Sequence, residues 1–154
     1  MHDAIILRKA AKSDIPALRA FEQHIIHAER PFDRTLGEGS IHYYDLEQMV
    51  GSDNVEMLLA SRSGSLIGCG FARIEPAKPY LKHRSEAYLG LMFVAPEHRG
   101  QGVNQKIVRA LKNWCRLRGV TELRLDVYQG NVAAIRAYAK EGFAKHLIEM
   151  RMSI

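Results

Sequence analysis

Ser85 to Val94 (SEAYLGLMFV) is an apolar, strand-like run that leads through a glycine-rich turn directly into an amphipathic segment from Val103 to Arg118. Pro96 lacks a ladder donor and stops the strand. Gly100 and Gly102 permit tight curvature. Val103, Ile107, Val108, Leu111, Trp114 and Cys115 recur at helical spacing, and Gly119 closes the helix. A buried strand feeding a helix through so short a turn demands α/β layering, with the helix returning onto the sheet it has left. The same turn aims the unpaired N–H groups of the first helical turn at one spot, with the helix dipole behind them. That spot suits a phosphate. The segment lacks the Gly-Lys-Ser/Thr ending of a P-loop, and Gly100 and Gly102 do not continue into GxGxxG.

The rest of the chain supplies the other elements. Ala4 to Arg8 reads as a strand. Ser13 opens a helix carrying Ile15, Leu18, Phe21 and Ile25 on one side. Glu29 to Ser40 is a loop, and Asp45 starts a short helix with Leu46, Met49 and Val50 inward. Val55–Ser61 and Leu66–Glu75 form a hairpin around Arg62-Ser63-Gly64-Ser65. Gly68 and Gly70 in its second strand imply a close neighbour or a bulge. Leu123, Leu125 and Val127 alternate as a strand, Asn131 caps a last helix, and Phe143 to Ile154 is expected to close the fold as a strand. The order is β-α-α-β-β-β-α-β-α-β, antiparallel first and crossing over later.

At 154 residues the chain has room for one domain, spanning 1–154. Its 47% apolar and 25% charged content belongs to a globular chain and excludes a disordered one. Cys69 and Cys115 have no CxxC partner and read as buried thiols of a reducing compartment. With no signal-peptide pattern and no apolar run of ~20 residues, the expected location is cytoplasmic, with no membrane partner. Of the net charge of +5, the stretch from His98 to Arg124 carries +6: seven cations against Glu122. Such a patch suits phosphate on a nucleic acid or a small cofactor; a solvated helix face is the plainer explanation. His24 and His27 lack a third ligand at metal-binding distance, so no metal is expected.

A second constellation decides between these options. Asp126-Val127-Tyr128-Gln129-Gly130-Asn131 is followed by Ala134, Tyr138 and Gly142-Phe143. With Arg99, Gly102 and Asn104 at the family's Arg/Gln-x-x-Gly-x-Gly/Ala positions, the chain resembles the GNAT superfamily of acyl-CoA-dependent N-acetyltransferases over nearly its whole length. Asn104 departs by standing where a small residue is usual, and the twelve residues from Phe143 are few for two closing strands. One strand is then absent, or a neighbouring subunit supplies it and the protein is a homodimer. The resemblance implies an α/β fold with a mixed, mostly antiparallel central sheet of six to seven strands, splayed between strands 4 and 5, and about four helices.

It implies further that acetyl-CoA lies in the splay, its pantetheine paired with the backbone of Met92, Phe93 and Val94. Its diphosphate would be held by the amides of Arg99, Gly100, Gln101, Gly102, Val103, Asn104 and Gln105, with Asn131, Ala134 and Tyr138 also contacting cofactor. A primary amine, on a small molecule or a peptide, would attack the thioester directly in a ternary complex. Tyr138 stands at the family's general-acid position, and a phenol of pKa ~10 can protonate a leaving thiolate. For the base, Glu86 shares a face with Tyr88, Gly90 and Met92 by period-two counting; Glu29, His27 and Tyr88 are alternatives. His42, Tyr43 and Tyr44 line an acceptor pocket or cover a helix start. No nucleic-acid partner is expected. A non-catalytic acyl-CoA-binding module on the same fold is the second reading, since it needs the loop and no acid.

Overall fold

The computed structural model describes residues 3–154. Five strands, β1 (Ile6–Lys9), β2 (Val55–Arg62), β3 (Ser65–Pro76), β4 (Ser85–Val94) and β5 (Leu123–Arg124), form one sheet in that order. The first three pairings are antiparallel and β4–β5 is parallel. Four helices complete the fold: α1 (Ile15–Glu29), α2 (Leu46–Met49), α3 (Val103–Leu117) and α4 (Val132–Lys140). The β2–β3 hairpin turns on Ser63 and Gly64, both at positive φ (51° and 80°), the conformation that matches the twist of the flanking strands.

Two apolar layers cover the sheet. On one face Leu18, Leu46, Met49, Met57, Leu59, Cys69, Phe71, Leu91 and Phe93 pack together beneath α1 and α2. On the other, Leu58, Ala60, Ala72, Ala87 and Leu89 meet Val103, Ile107, Leu111, Trp114 and Cys115 of α3. The β3 glycines have the close neighbours the sequence implies. A Cβ at Gly70 would lie 2.5 Å from Met92 Sδ and 2.9 Å from Ile107 Cγ2, and one at Gly68 would lie 2.7 Å from the Phe93 carbonyl oxygen.

β4 departs from simple alternation. Ala87 and Leu89 face α3, whereas Leu91 and Phe93, of the same parity, face α1. The phase inverts because β4 carries an extra residue against β3: Phe71 pairs with Gly90 but Cys69 pairs with Phe93. Leu91, at φ +52°, takes up that bulge. The face counted from Glu86 through Met92 is therefore not one face. Tyr88 packs on the α1 side and Met92 on the α3 side.

The expected six to seven strands are five. The segment from Phe143 to Ile154, read as a closing strand, forms no regular element and joins no sheet among the described residues. β5 is correspondingly short, two residues instead of the run to Val127, because a strand persists only where a neighbour takes its hydrogen bonds.

Candidate active site

Gly100 (φ 72°) and Gly102 (φ 85°) turn the chain from β4 into α3. Gly102 occupies the N-cap in the left-handed conformation that glycine adopts freely. Among the described residues the N–H groups of Gly100, Gln101, Gly102, Val103, Asn104 and Gln105 have no acceptor, and Lys106 is the first to close the helix, onto Gly102 O at 3.0 Å. Six adjacent free donors at a helix start make an anion cradle. Arg99 does not join them, because its amide donates to Pro96 O (3.3 Å) and its Nε to Val94 O (3.1 Å). Nor are the α3 cations simply a phosphate field. Lys106 Nζ donates to Ile5 O at 2.7 Å, Arg109 approaches Glu141 at 3.6 Å, and Arg118 lies 4.3 Å over the Trp114 ring.

Beside the cradle lies an open strand edge. β5 pairs with β4 only at Ala87–Leu123 and Tyr88–Arg124. Beyond these two pairs the ladder stops, and β4 from Leu89 to Val94, including Met92 and Phe93, has no β5 partner. The Val94 carbonyl there is already taken by Arg99. The Phe93 ring points into the core, stacked on Phe21 (4.9 Å) and His24 (5.6 Å), so His24 serves packing.

Phenols and carboxylates from five segments gather on the α1 side. Burial pushes the Tyr138 phenol of α4 up to about 12, and the negative charge of Glu29 and the proximity of Tyr44 add to it. Tyr138 also meets Phe143 edge to face at 5.8 Å. Glu29, at the end of α1, is itself raised by burial and by Asp33, with the Tyr43 phenol acting the other way. The Tyr43 hydroxyl is buried without a well-formed hydrogen bond, and burial followed by Glu29 raises its pKa. Tyr44 reaches the bulge: a Cβ on Gly90 would touch its hydroxyl at 2.7 Å. Burial raises Tyr44 as well, opposed by the Leu91 backbone N–H and by Tyr88. Tyr128 donates to Asp33 Oδ2 at 2.8 Å and stacks on Phe32.

Glu22 organises this face, and sequence inspection missed it. It is fully buried on α1, accepting the backbone N–H groups of Tyr43 (3.1 Å) and Tyr44 (3.0 Å) and pairing with His42 Nδ1 (3.1 Å). The signal was present: Leu18, Glu22 and Ile26 follow one another at i+4, which places a carboxylate on the inward stripe. A buried carboxylate needs several donors, and three successive residues of the following loop supply them.

Glu86 belongs to an ion-pair cluster with Arg124, Glu122 and His83. Its carboxylate pairs with Arg124 Nε at 2.8 Å and lies 3.6 Å from His83. Asn131 Oδ1 accepts the Ala134 N–H at 3.3 Å and caps α4, so both residues fix the helix that presents Tyr138.

Comparison with known proteins adds an independent finding. Residues 20–143 match the model of the Acetyltransferase (GNAT) family. An IAA acetyltransferase from Azospirillum brasilense is 28% identical across 78% of this chain and 76% of its own length. An aminoglycoside N(6')-acetyltransferase type 1 from Klebsiella aerogenes is 29% identical across 58% of this chain and 59% of its own. Among known structures, a predicted acetyltransferase from Clostridium acetobutylicum, crystallised with acetyl-CoA, superposes with a TM-score of 0.75 at 16% identity, covering 97% of this chain and 96% of that one.

Proposed function

Because this chain belongs to the acetyltransferase (GNAT) family and is an acetyltransferase with acetyl-CoA as cosubstrate, we propose that it moves the acetyl group to the primary amine of a small molecule or peptide by direct attack in a ternary complex. One observation carries this reading. The free amides of 100–105 follow directly on the unpaired β4 edge, and Tyr44, one of the groups that raise Tyr138, reaches that strand at Gly90. The cradle holds the diphosphate, and the outer edge of Met92 and Phe93 pairs with the pantetheine amides. A backbone N–H beyond the bulge stabilises the developing oxyanion, a contribution of ~10²–10³ in rate.

Two side chains handle the protons. Glu29 takes one proton of the attacking ammonium, which leaves a neutral nitrogen to form the C–N bond. As the C–S bond breaks, the thiolate takes the Tyr138 phenolic proton, and the second proton shed by the nitrogen as it becomes an amide passes through solvent to the phenolate and restores the phenol. The two events are coupled. Glu29 raises Tyr138 only while it is charged, so gaining the amine's proton removes that influence and strengthens the phenol as an acid when the thiolate appears. Glu29 takes the place of Glu86 as base because it is the carboxylate beside Tyr138 and is raised toward working pH. Glu29, Asp33 and Asp126 together favour a cationic acceptor, consistent with the aminoglycoside-modifying relative.

The test is thiol release from acetyl-CoA against an amine panel with three variants. Tyr138→Phe and Glu29→Gln should each lose ~10²–10⁴ in kcat with CoA affinity unchanged, while Glu86→Gln stays within a few-fold. Full activity in Glu29→Gln, or wild-type protein inert toward every amine while binding CoA, would overturn the mechanism.

A further inference from the structure

The turn that carries the free amides has to keep its shape without using them. Its own supports are short-range. His98 N–H donates to Ala95 O (2.9 Å), Arg99 N–H to Pro96 O (3.3 Å), Arg99 Nε to Val94 O (3.1 Å) and Gln101 Nε2 to Glu97 O (3.1 Å). Among the described residues, Arg62 alone hydrogen-bonds to the turn 96–101 from another element. Arg62 is the last residue of β2 and pairs with Ser65 across the hairpin. Gly68 of β3 pairs with Val94 at the end of β4, so the hairpin lies beside the place where the turn begins.

From there the half-buried guanidinium forks. Its Nε donates to Asp3 O at 3.1 Å, and its Nη1 donates to Gln101 Oε1 at 2.5 Å and to His98 Nδ1 at 3.2 Å. An arginine only donates, so His98 accepts at Nδ1 and carries its ring proton on Nε2. Gln101 passes the contact on to the Glu97 carbonyl. One planar group thus ties the chain before β1, the turn Pro96–His98 and the residue next to Gly102. Such a tie matters because Gly100 and Gly102 leave this stretch the freest backbone in the loop. A ligand binds a flexible site more weakly in proportion to the time the site spends out of its binding shape. We propose that Arg62 is a positioning residue for the cosubstrate, acting through His98 and Gln101 to keep the cradle amides converged. This rests on the reading of amides 100–105 as the diphosphate site.

Calorimetric titration of the full chain with CoA, beside a thermal melt, tests this. Arg62→Ala should weaken CoA ~10-fold, the loss expected when the turn holds its binding shape about a tenth of the time, with a melt close to that of wild type. Arg62→Lys separates position from charge. It keeps the cation, but one ammonium lacks the fork that spans the three points, so it should bind CoA no better than Arg62→Ala. Gln101→Ala removes a contact that Arg62→Ala also removes, so the double variant should lose less than the product of the two single losses. Wild-type affinity in Arg62→Ala, full affinity in Arg62→Lys, or losses that simply multiply in the double variant would each overturn the positioning role. A melt far below wild type in Arg62→Ala would overturn it as well, because the arginine would then hold the sheet and not the turn. Gly102→Asp tells the two readings apart: if it alone loses CoA the brace is wrong and the cradle stands, and if it binds CoA normally both fall.

Discussion

Gly102→Asp tests the cradle most sharply, because its effects on fold and on ligand separate. At φ 85° any residue with a Cβ is strained, which costs about 1 kcal/mol. The space itself is free, the nearest atom to an added Cβ being Gln105 Oε1 at 3.9 Å. A carboxylate at a helix N-terminus returns about 0.3–1 kcal/mol through the dipole. The variant should therefore fold with stability within about 1 kcal/mol of wild type. The ligand meets a different balance. A carboxylate about 5 Å from one phosphate charge, at an effective dielectric of about 20, costs about 3 kcal/mol, which weakens CoA by more than ~100-fold. Calorimetric titration with CoA, beside a thermal melt, measures both quantities. Unchanged CoA affinity in a folded variant would show that the diphosphate does not sit on these amides. An unfolded variant would refute the stability arithmetic.

Two further predictions concern the scaffold. Gly90→Ala places a methyl group 2.7 Å from both Phe71 Cζ and the Tyr44 hydroxyl; Phe71 is fully buried, so denaturant unfolding should register a loss of about 1–3 kcal/mol, with acceptor KM raised as Tyr44 shifts. Asp14 accepts from Arg8 (2.7 and 2.8 Å) and from the Ala11 N–H, and it is held down to about 2 by Arg8 first and then by that N–H. A carboxyl lowered on folding stabilises above its unfolded value and loses that contribution as pH falls through the folded one. The gap between wild type and Asp14→Ala, about 1 kcal/mol, should thus be constant near neutrality and close between 3.8 and about 2 in a pH series of melts.

The elements legible in the chain were those with local causes. β4 runs from Ser85 to Val94 and α3 begins at Val103 as expected, since β-run composition, Pro96 and the positive-φ glycines act within a few residues. The free amides of 100–105 were readable for the same reason: they follow from being first in a helix, whatever packs around them. What tertiary structure alone decided were the properties that depend on a distant partner. Glu86 and Glu29 are equivalent in sequence, and only Arg124 beside the one and Tyr43, Asp33 and Tyr138 around the other separate an ion-paired carboxylate from one whose pKa burial raises. The bulge at Leu91 inverts the face of β4 with no glycine or proline at that residue to announce it, because pairing register belongs to two strands. Likewise Glu22 acquires its role only when the 42–44 loop folds back over it. Periodicity and backbone freedom are local and can be read from one chain; a carboxylate's protonation state and a strand's register depend on neighbours, and folding chooses those.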